Sequence, residues 1–380
     1  MNVPKLRFKE FTDEWQKVKI SSFVNESKRK TGDIKKYPLW SLTIENGVTP
    51  KTDRYERSFL VKKEDNYKIV YPNYYVYNPM NAHLGAIARN KSDKSISVSG
   101  YYDIFSINND YYGFYDNYFI SPVMFKKYKL ISSGSLLEKQ RVHYSQFKEL
   151  KIYLPSDKEQ EKIAKLLSLL DKKIALQTKK IETLKLFKSC TKSKIFKDGN
   201  HACKLGAILN KWNKKNKDGA INYVESISNK AGFIPQSEQF EDRNVASKNL
   251  RNYYVIKKGV FGYNPSRLNV GSLALKENDS ISVVSPLYEC FTTTQNNTYL
   301  FEWFNSDYFK KETSSRFEGG VRNTLNFNNL CDIPINLPDI ETQNKYAKYF
   351  NKLNFKISLE EQKLSKLLKY KKALLQDMFI

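Results

Sequence analysis

The sequence predicts an α+β chain in which two mixed α/β globular domains alternate with two long coiled-coil helices, built as a pseudo-twofold internal repeat. Two heptad runs in the same register, 183 residues apart, carry most of that expectation. A Tyr-Asn-Pro segment followed at fixed spacing by glycine occurs twice, 186 residues apart, and carries the rest. With 380 residues the chain has room for two or three domains, each with its own core. The boundaries read as a first domain over 1–154, a helix over 155–197, a second domain over 198–337 and a second helix over 338–380.

Residues 1 to 20 alternate charge with single apolar residues and lack the apolar core of a signal peptide. Tyr37 to Tyr77 is rich in aromatic and β-branched residues, broken by Asn46-Gly47, Pro50 and Pro72, which predicts short strands and turns. Ile96 to Ile107 alternates in the same way, and Phe119 to Lys129 is ambiguous between strand and helix. Ser132-Ser133-Gly134-Ser135 reads as a flexible joint, and Phe147 to Leu154 as a last strand feeding the helix.

Pro155 then stops the strand, and Ser156-Asp157-Lys158-Glu159 predicts a capping box, Ser156 accepting from an orphan amide and Glu159 reaching back. Ile163, Leu167, Leu170, Ile174, Gln177, Ile181 and Leu184 follow in steps of four and three, a seam of about three heptads. The C-terminal run opens on Leu337-Pro338-Asp339 and places Tyr346, Phe350, Leu353, Ile357, Glu360, Leu364 and Leu367 on the equivalent positions. Gln160 matches Gln343, Ala164 matches Ala347, and Phe196 matches Phe379. Gln177 and Glu360 stand where apolar residues belong. They are either polar residues tolerated at a wet edge or devices that fix register at some loss of stability.

The second globular half repeats the first at the level of a skeleton. Lys19-Ile20 finds Lys204-Leu205. Tyr77-Asn78-Pro79, then Gly85 and Ala88, find Tyr263-Asn264-Pro265, then Gly271 and Ala274. Tyr102-Asp103-Ile104-Phe105 parallels Tyr288-Glu289-Cys290-Phe291, and Val142, Tyr144 and Phe147 parallel Leu325, Phe327 and Leu330. Outside these skeletons the halves differ freely, as two readers of different targets would.

A net charge of +24 points to a polyanionic partner, above all nucleic acid. An A+T-rich coding bias would raise lysine and asparagine as well, though not the accompanying aromatics. Four scattered cysteines and three distant histidines speak for a reducing compartment and against disulfide or zinc frameworks. No apolar run is long enough to span a bilayer, so a soluble, cytoplasmic protein is expected. Asn78-Pro79 and Asn264-Pro265 lack the second proline and the aromatic residue of an amino-methyltransferase site. Glu149-Leu150-Lys151 is an acid-x-lysine fragment whose duplicate reads Asp332-Ile333-Pro334, which makes it a strand edge, not a nuclease centre. No phosphate-cradling Gly-x4-Gly-Lys loop occurs. The chain reads as a binder and not an enzyme, with no metal and no catalytic residues.

The Leu-Pro-(Ser/Asp)-x3-Gln-x3-Ala segments at 154–164 and 337–347, the paired Tyr-Asn-Pro-x5-Gly segments and the terminal Leu374-Leu375-Gln376-Asp377-Met378-Phe379 have one joint implication. The chain resembles, over essentially its full length, the specificity subunit of type I restriction–modification enzymes. The first helix departs from the family's usual close, ending Cys190-Thr191-Lys192-Ser193-Lys194-Ile195-Phe196. The resemblance implies two target-recognition domains, separated by two long antiparallel coiled-coil helices, each reading half of a bipartite asymmetric site in double-stranded DNA. It also implies docking of methylation subunits and restriction subunits, two of each. Those subunits would use S-adenosylmethionine, ATP and magnesium, and this chain would hold no cofactor. A helix of about 40 residues is roughly 60 Å long, enough to set half-sites on successive turns of duplex. The other readings are a stand-alone architectural or regulatory DNA-binding protein, whose coiled coil is its own dimer seam, and a small stand-alone nuclease.

For the DNA surface the sequence nominates Asn78, Asn81, His83, Gly85 and Arg89 in the first half, and Asn264, Arg267, Asn269 and Gly271 in the second. Arg and Asn read guanine and adenine edges by paired hydrogen bonds, and glycine permits close approach to phosphate. Arg316, Gly319, Gly320 and Arg322 form a second basic loop, with Lys139 and Arg141 its counterpart. For each residue alone, a solvated turn or a structural asparagine is the competing explanation.

Overall fold

The computed structural model describes residues 2–51, 66–133, 141–196, 202–229, 231–239, 249–268, 271–314, 316 and 324–380. Two compact units emerge, Met1–Thr178 with Lys363–Ile380, and Lys179–Gln362. Both cuts fall inside a long helix, so each helix contributes its two ends to different cores, whereas the sequence boundaries follow the elements.

In the first unit β1 (Gln16–Lys19), β2 (Val24–Ser27), β3 (Lys30–Thr31), β4 (Trp40–Thr43) and β5 (Gly47–Pro50) come first. After them run β6 (Tyr67–Val70), β7 (Tyr75–Tyr77), β8 (Ile87–Arg89), β9 (Ile96–Val98) and β10 (Asp103–Ile107). Then come α1 (Tyr112–Tyr118), α2 (Pro122–Ile131), α3 (Tyr144–Glu149), β11 (Lys151–Leu154) and the long α4 (Asp157–Ile195). The central sheet has the order β2-β10-β7-β8. Alternation divides its side chains between two cores. Tyr75, Tyr77 and Phe105 face the helices, while Val76 and Ile104 face Val70, Ile96 and Val98 of the β3-β6-β9 sheet.

The second unit holds β12 (Ala202–Lys204), β13 (Leu209–Lys211), β14 (Glu225–Ser228), β15 (Gly232–Pro235), α5 (Gln236–Gln239) and β16 (Tyr254–Ile256). It continues with β17 (Phe261–Tyr263), β18 (Leu273–Leu275), β19 (Ser282–Val284) and β20 (Glu289–Thr293). It closes with α6 (Asn297–Phe304), α7 (Asp307–Ser314), α8 (Phe327–Cys331), β21 (Pro334–Asn336) and α9 (Ile340–Asp377). Its central order, β13-β20-β17-β18, copies that of the first unit, and β12-β21 copies β1-β11.

The repeat reaches further than the sequence skeleton suggests. The β4–β5 hairpin recurs as β14–β15, and β6–β9 recurs as β16–β19. Gly47 and Gly232 open the second strand of each hairpin at φ +66° and +69°, a left-handed conformation that disfavours side chains. The exposed ion pair Lys19–Glu149 (2.8 Å) recurs as Lys204–Asp332 (2.8 Å), which gives the acid-x-lysine fragment a structural partner in both units.

Three local expectations change. The Phe119–Lys129 stretch is helical, because Ser121 caps α2 through the Met124 amide and Pro122 occupies its first turn. Residues 144–149 form a helix and not the start of a strand, since Tyr144 and Phe147 bury on one face at a spacing of three. The Ser132 joint is tied, Ser133 and Arg141 exchanging backbone hydrogen bonds of 2.9 and 2.8 Å, while Gly134 and Ser135 lie outside the described residues.

At the start of α4 the Glu159 carboxylate does not reach back as a capping box requires. It is buried and receives the Arg7 guanidinium in two bonds of 2.8 and 2.7 Å. The equivalent start of α9 is capped by Asp339, which accepts from the Thr342 amide at 2.8 Å. Gln160 and Gln343 repeat one contact, each amide donating to the carbonyl of the preceding proline, Pro155 or Pro338.

All fourteen seam residues are buried or half-buried. In the first unit Ile163, Leu167, Leu170 and Ile174 join a core with Leu367, Leu374, Leu375 and Met378. In the second, Lys180 meets Glu360 at 3.0 Å and Phe196 stacks on Phe350 at 6.0 Å, so the helices run antiparallel there. Glu360 is buried, with Lys180 as its cation, and Gln177 is half-buried. Each of these seam contacts is made within one chain, so the residues read as a seam do not need a second copy to bury them.

Candidate nucleic-acid interface

Among the described residues, the duplicated loop repeats its backbone bonds in both units. After β7 the Asn78 amide donates to the Ala86 carbonyl at 3.0 Å, and after β17 the Asn264 amide donates to Ser272 at 3.0 Å. Gly85 and Gly271 donate to Ala82 and Leu268, both at 2.9 Å, and stand at φ +97° and +89°. The left-handed turn explains these glycines. At Gly85 a Cβ would also press on Phe125 at 3.2 Å, whereas at Gly271 it would meet open space.

Below the loop, the Tyr77 hydroxyl donates to the Val142 carbonyl at 2.7 Å and Tyr263 donates to Leu325 at 3.1 Å. Burial pushes both phenols far above the ordinary tyrosine range, so both remain donors. The Val142 and Leu325 amides return to Pro79 and Pro265, at 2.9 and 3.1 Å. Each loop is therefore pinned to the strand-like segment that precedes α3 or α8. That pinning brings Arg141 beside the first loop, and puts Thr324 at the corresponding place in the second.

The nominated residues separate into groups by what their side chains already do. Asn78 and Asn264 accept from the amides two residues on, Met80 and Ser266, each at 3.0 Å, so their carbonyl oxygens shape the turn. Arg89 is half-buried. It donates to both Asp116 oxygens at 3.1 and 2.9 Å and to Asn73 at 2.6 Å, with its plane over the Tyr112 ring. Burial disfavours its charge, yet Asp116 outweighs that and raises the guanidinium's pKa. Arg89 is thus part of the scaffold, at the floor of a cavity of about 260 Å³ lined by the β4–β5 turn, Gly85 and Lys91. Arg316 is likewise held, by the carbonyl and carboxylate of Glu312 at 2.7 and 2.8 Å.

Asn81, Arg141 and Arg267 are exposed, and among the described residues their side chains make no hydrogen bond or ion pair. His83 is half-buried, with its Nδ1 unpartnered among the described residues. Lys139, Asn269, Gly319, Gly320 and Arg322 lie outside the described residues. The two loops thus present different side chains, Asn81 and His83 in one and Arg267 in the other, on one backbone design. Sequence reasoning missed Asp116, which holds Arg89. No motif marks Asp116, which lies 27 residues from Arg89 in the short helix α1.

Among the described residues no group of three or more His, Cys, Asp or Glu could hold a metal ion. Burial raises the Cys290 thiol to about 12, which leaves it a small core residue. No described helix is long and apolar enough to cross a membrane.

Residues 12–186 match the model of the type I restriction modification DNA specificity domain. None of the curated proteins matches the chain. Among solved structures, the fold is similar to the type I restriction–modification S subunit from M. genitalium, with a TM-score of 0.61 at 15% identity. That match covers 100% of this chain and 99% of the other. A chain solved in work on complex assembly and conformational transition of a type I system is similar with a TM-score of 0.56 at 12% identity, covering 97% and 98%.

Proposed function

We propose, from the match of residues 12–186 to the model of the type I restriction modification DNA specificity domain, that this chain is the DNA-recognition subunit of such a complex. One observation carries the reading. Two loops identical in backbone bonding expose different base-reading chemistry, as two readers of unlike half-sites require. Each unit would read one half of a bipartite, asymmetric double-stranded site. Lysine–phosphate contacts would position the chain, and loop side chains would specify the bases. Methylation subunits and restriction subunits, two of each, would dock on the helices and the flanking faces of the units. Methyl transfer with S-adenosylmethionine, and cleavage with ATP and magnesium, would belong to those subunits.

Single-molecule sequencing of host DNA with and without the gene tests this. One split motif should lose its methylation when the gene is removed, and an unchanged methylome overturns the reading. A finer expectation concerns Arg267. If it reads a base, Arg267→Ala costs about 1–3 kcal/mol at one base-pair position only. Equal weakening on every sequence, measured by competition binding, would make it a phosphate contact instead.

A further inference from the structure

The candidate base-reading residues sit on one loop per unit, but a dense run of exposed cations lies elsewhere in each, in which Lys28 meets Glu26 at 3.5 Å and Lys211 meets Glu289 at 3.2 Å. Where β2 leaves the central sheet, the chain reads Lys28-Arg29-Lys30-Thr31-Gly32-Asp33-Ile34-Lys35-Lys36, with five cations and one acid. Where β13 leaves its sheet, it reads Lys211-Trp212-Asn213-Lys214-Lys215-Asn216-Lys217-Asp218, with four cations and one acid. All nine cations are exposed. The two stretches occupy the same place in the fold. Arg29 accepts the Ile69 amide at 2.9 Å, and Lys214 accepts the Val255 amide at 2.7 Å, Ile69 and Val255 being equivalent strand residues. In each the single acid turns its carboxylate onto backbone, Asp33 onto the amides of Lys35 and Lys36, Asp218 onto that of Ala220.

Strand register sets the position of these stretches relative to the reading loops. Ser27 and Val76 both pair with Ile104, so β2 and β7 run the same way and end at the same edge of the sheet. Lys211 and Phe261 both pair with Phe291, which repeats the arrangement. The basic stretch and the Tyr-Asn-Pro loop therefore leave each sheet at one end, two strand spacings apart, about 10 Å. That separation suits one stretch on phosphates and one loop in the adjoining groove. In the first stretch Arg29 lies over the Tyr71 ring at 5.9 Å, which limits its side-chain freedom before binding; in the second, Trp212 lies under Lys257 at 5.2 Å, a cation outside the stretch.

We infer that Lys28, Arg29 and Lys30 in one unit, and Lys214, Lys215 and Lys217 in the other, are paired grips on the DNA phosphate backbone. The inference rests on the DNA-recognition reading above and assigns its sequence-independent part to these residues. The long helices carry many exposed lysines as well; what singles out these stretches is matched charge at equivalent backbone positions beside the reading loops, Arg29 with Lys214 and Lys30 with Lys215.

The test is salt-dependent binding of the full-length chain to a random-sequence duplex, followed by fluorescence anisotropy. The variants are K28Q/R29Q/K30Q, K214Q/K215Q/K217Q and, as control, K165Q/K172Q/K173Q on exposed positions of α4. Each phosphate contact contributes close to one unit of the log–log salt slope, so each grip variant, which removes three cations, should flatten it by about three. Affinity near 0.1 M salt should fall roughly tenfold or more, with the control unchanged. An equal loss in the control, or no loss in either grip variant, overturns the grips and leaves the DNA-recognition reading standing. Absence of any binding by the parent chain sinks both. Lysine acetylation of the unmodified chain with and without duplex needs no variant: Lys28, Lys30, Lys214, Lys215 and Lys217 should be protected, and full reactivity in the complex overturns the proposal.

Discussion

Phe379→Ala destabilises the unit formed by Met1–Thr178 and Lys363–Ile380 by about 3–5 kcal/mol, although more than two hundred residues separate Phe379 from that unit's last strand. Its ring is 2% exposed and meets Phe114 at 5.5 Å and Tyr118 at 5.2 Å, both edge-on. The Tyr118 hydroxyl donates to the Ile380 carbonyl at 3.0 Å, and the Leu6 amide donates to Asp377 at 2.9 Å. The tail of α9 is thus a core element of the first unit, which has no other residue to fill that space. Phe196 is its counterpart in the second unit, 6% exposed and set against Tyr299 at 5.4 Å. Phe196→Ala should destabilise Lys179–Gln362 by a similar amount. Hydrogen exchange, read separately over the two units, distinguishes the variants. Each should lose protection in its own unit first. Equal loss in both units from either change, or an effect under about 1 kcal/mol, contradicts the duplicated-plug account.

The matched positions of Phe196 and Phe379 were legible in sequence because a helix repeats its register and a large aromatic has no substitute at a helix end. The seam was legible for the same reason, and all fourteen positions are buried or half-buried. The hairpins β4–β5 and β14–β15 were not. A two-stranded hairpin tolerates almost any residue on its outer face, so only the glycine at the left-handed position survived, as Gly47 and Gly232. The site was partly legible. The Tyr-Asn-Pro-x5-Gly skeleton marked the loop because its tyrosine, asparagine and glycine each satisfy a backbone requirement. That same fact removes Asn78 and Asn264 from the free side chains, since a residue type suited to base reading is equally suited to a turn. Arg89 was misleading for a related reason. Its partner Asp116 lies 27 residues on, in a helix whose register is visible only once Tyr75 and Tyr112 are packed beside it.

Glu302→Gln should cost the second unit about 3–5 kcal/mol, because it strands two cations that share one buried carboxylate. Glu302 is 1% exposed. Its oxygens meet Lys188 and Lys192, both at 2.7 Å, and its Oε1 accepts from Asn354 at 2.9 Å. Burial alone would raise its pKa, but the two ammonium groups outweigh burial and hold it below the usual 4.5. A depressed carboxylate adds stability that is complete above about pH 4.5 and is lost as pH falls through the depressed value. The acid limb of unfolding should therefore flatten in Glu302→Gln. Burial lowers Lys192, with Glu302 opposing, so the substitution should lower it further. The first unit shows how the same place is filled without charge. Phe119 meets Phe105 as Phe304 meets Phe291, which sets Asn117 opposite Glu302, and Leu375 stands 183 residues from Lys192. Asn117 turns its amide onto Gly113 at 2.9 Å, and Leu375 is buried in the core. Glu302→Asn with Lys192→Leu should thus recover most of the loss, since an apolar replacement of a whole buried pair is often neutral or stabilising. Chemical denaturation of the two variants at pH 7 decides it. A double variant no more stable than Glu302→Gln would mean that the cluster holds the helices by its charge, and that the two units are not interchangeable solutions to one packing problem.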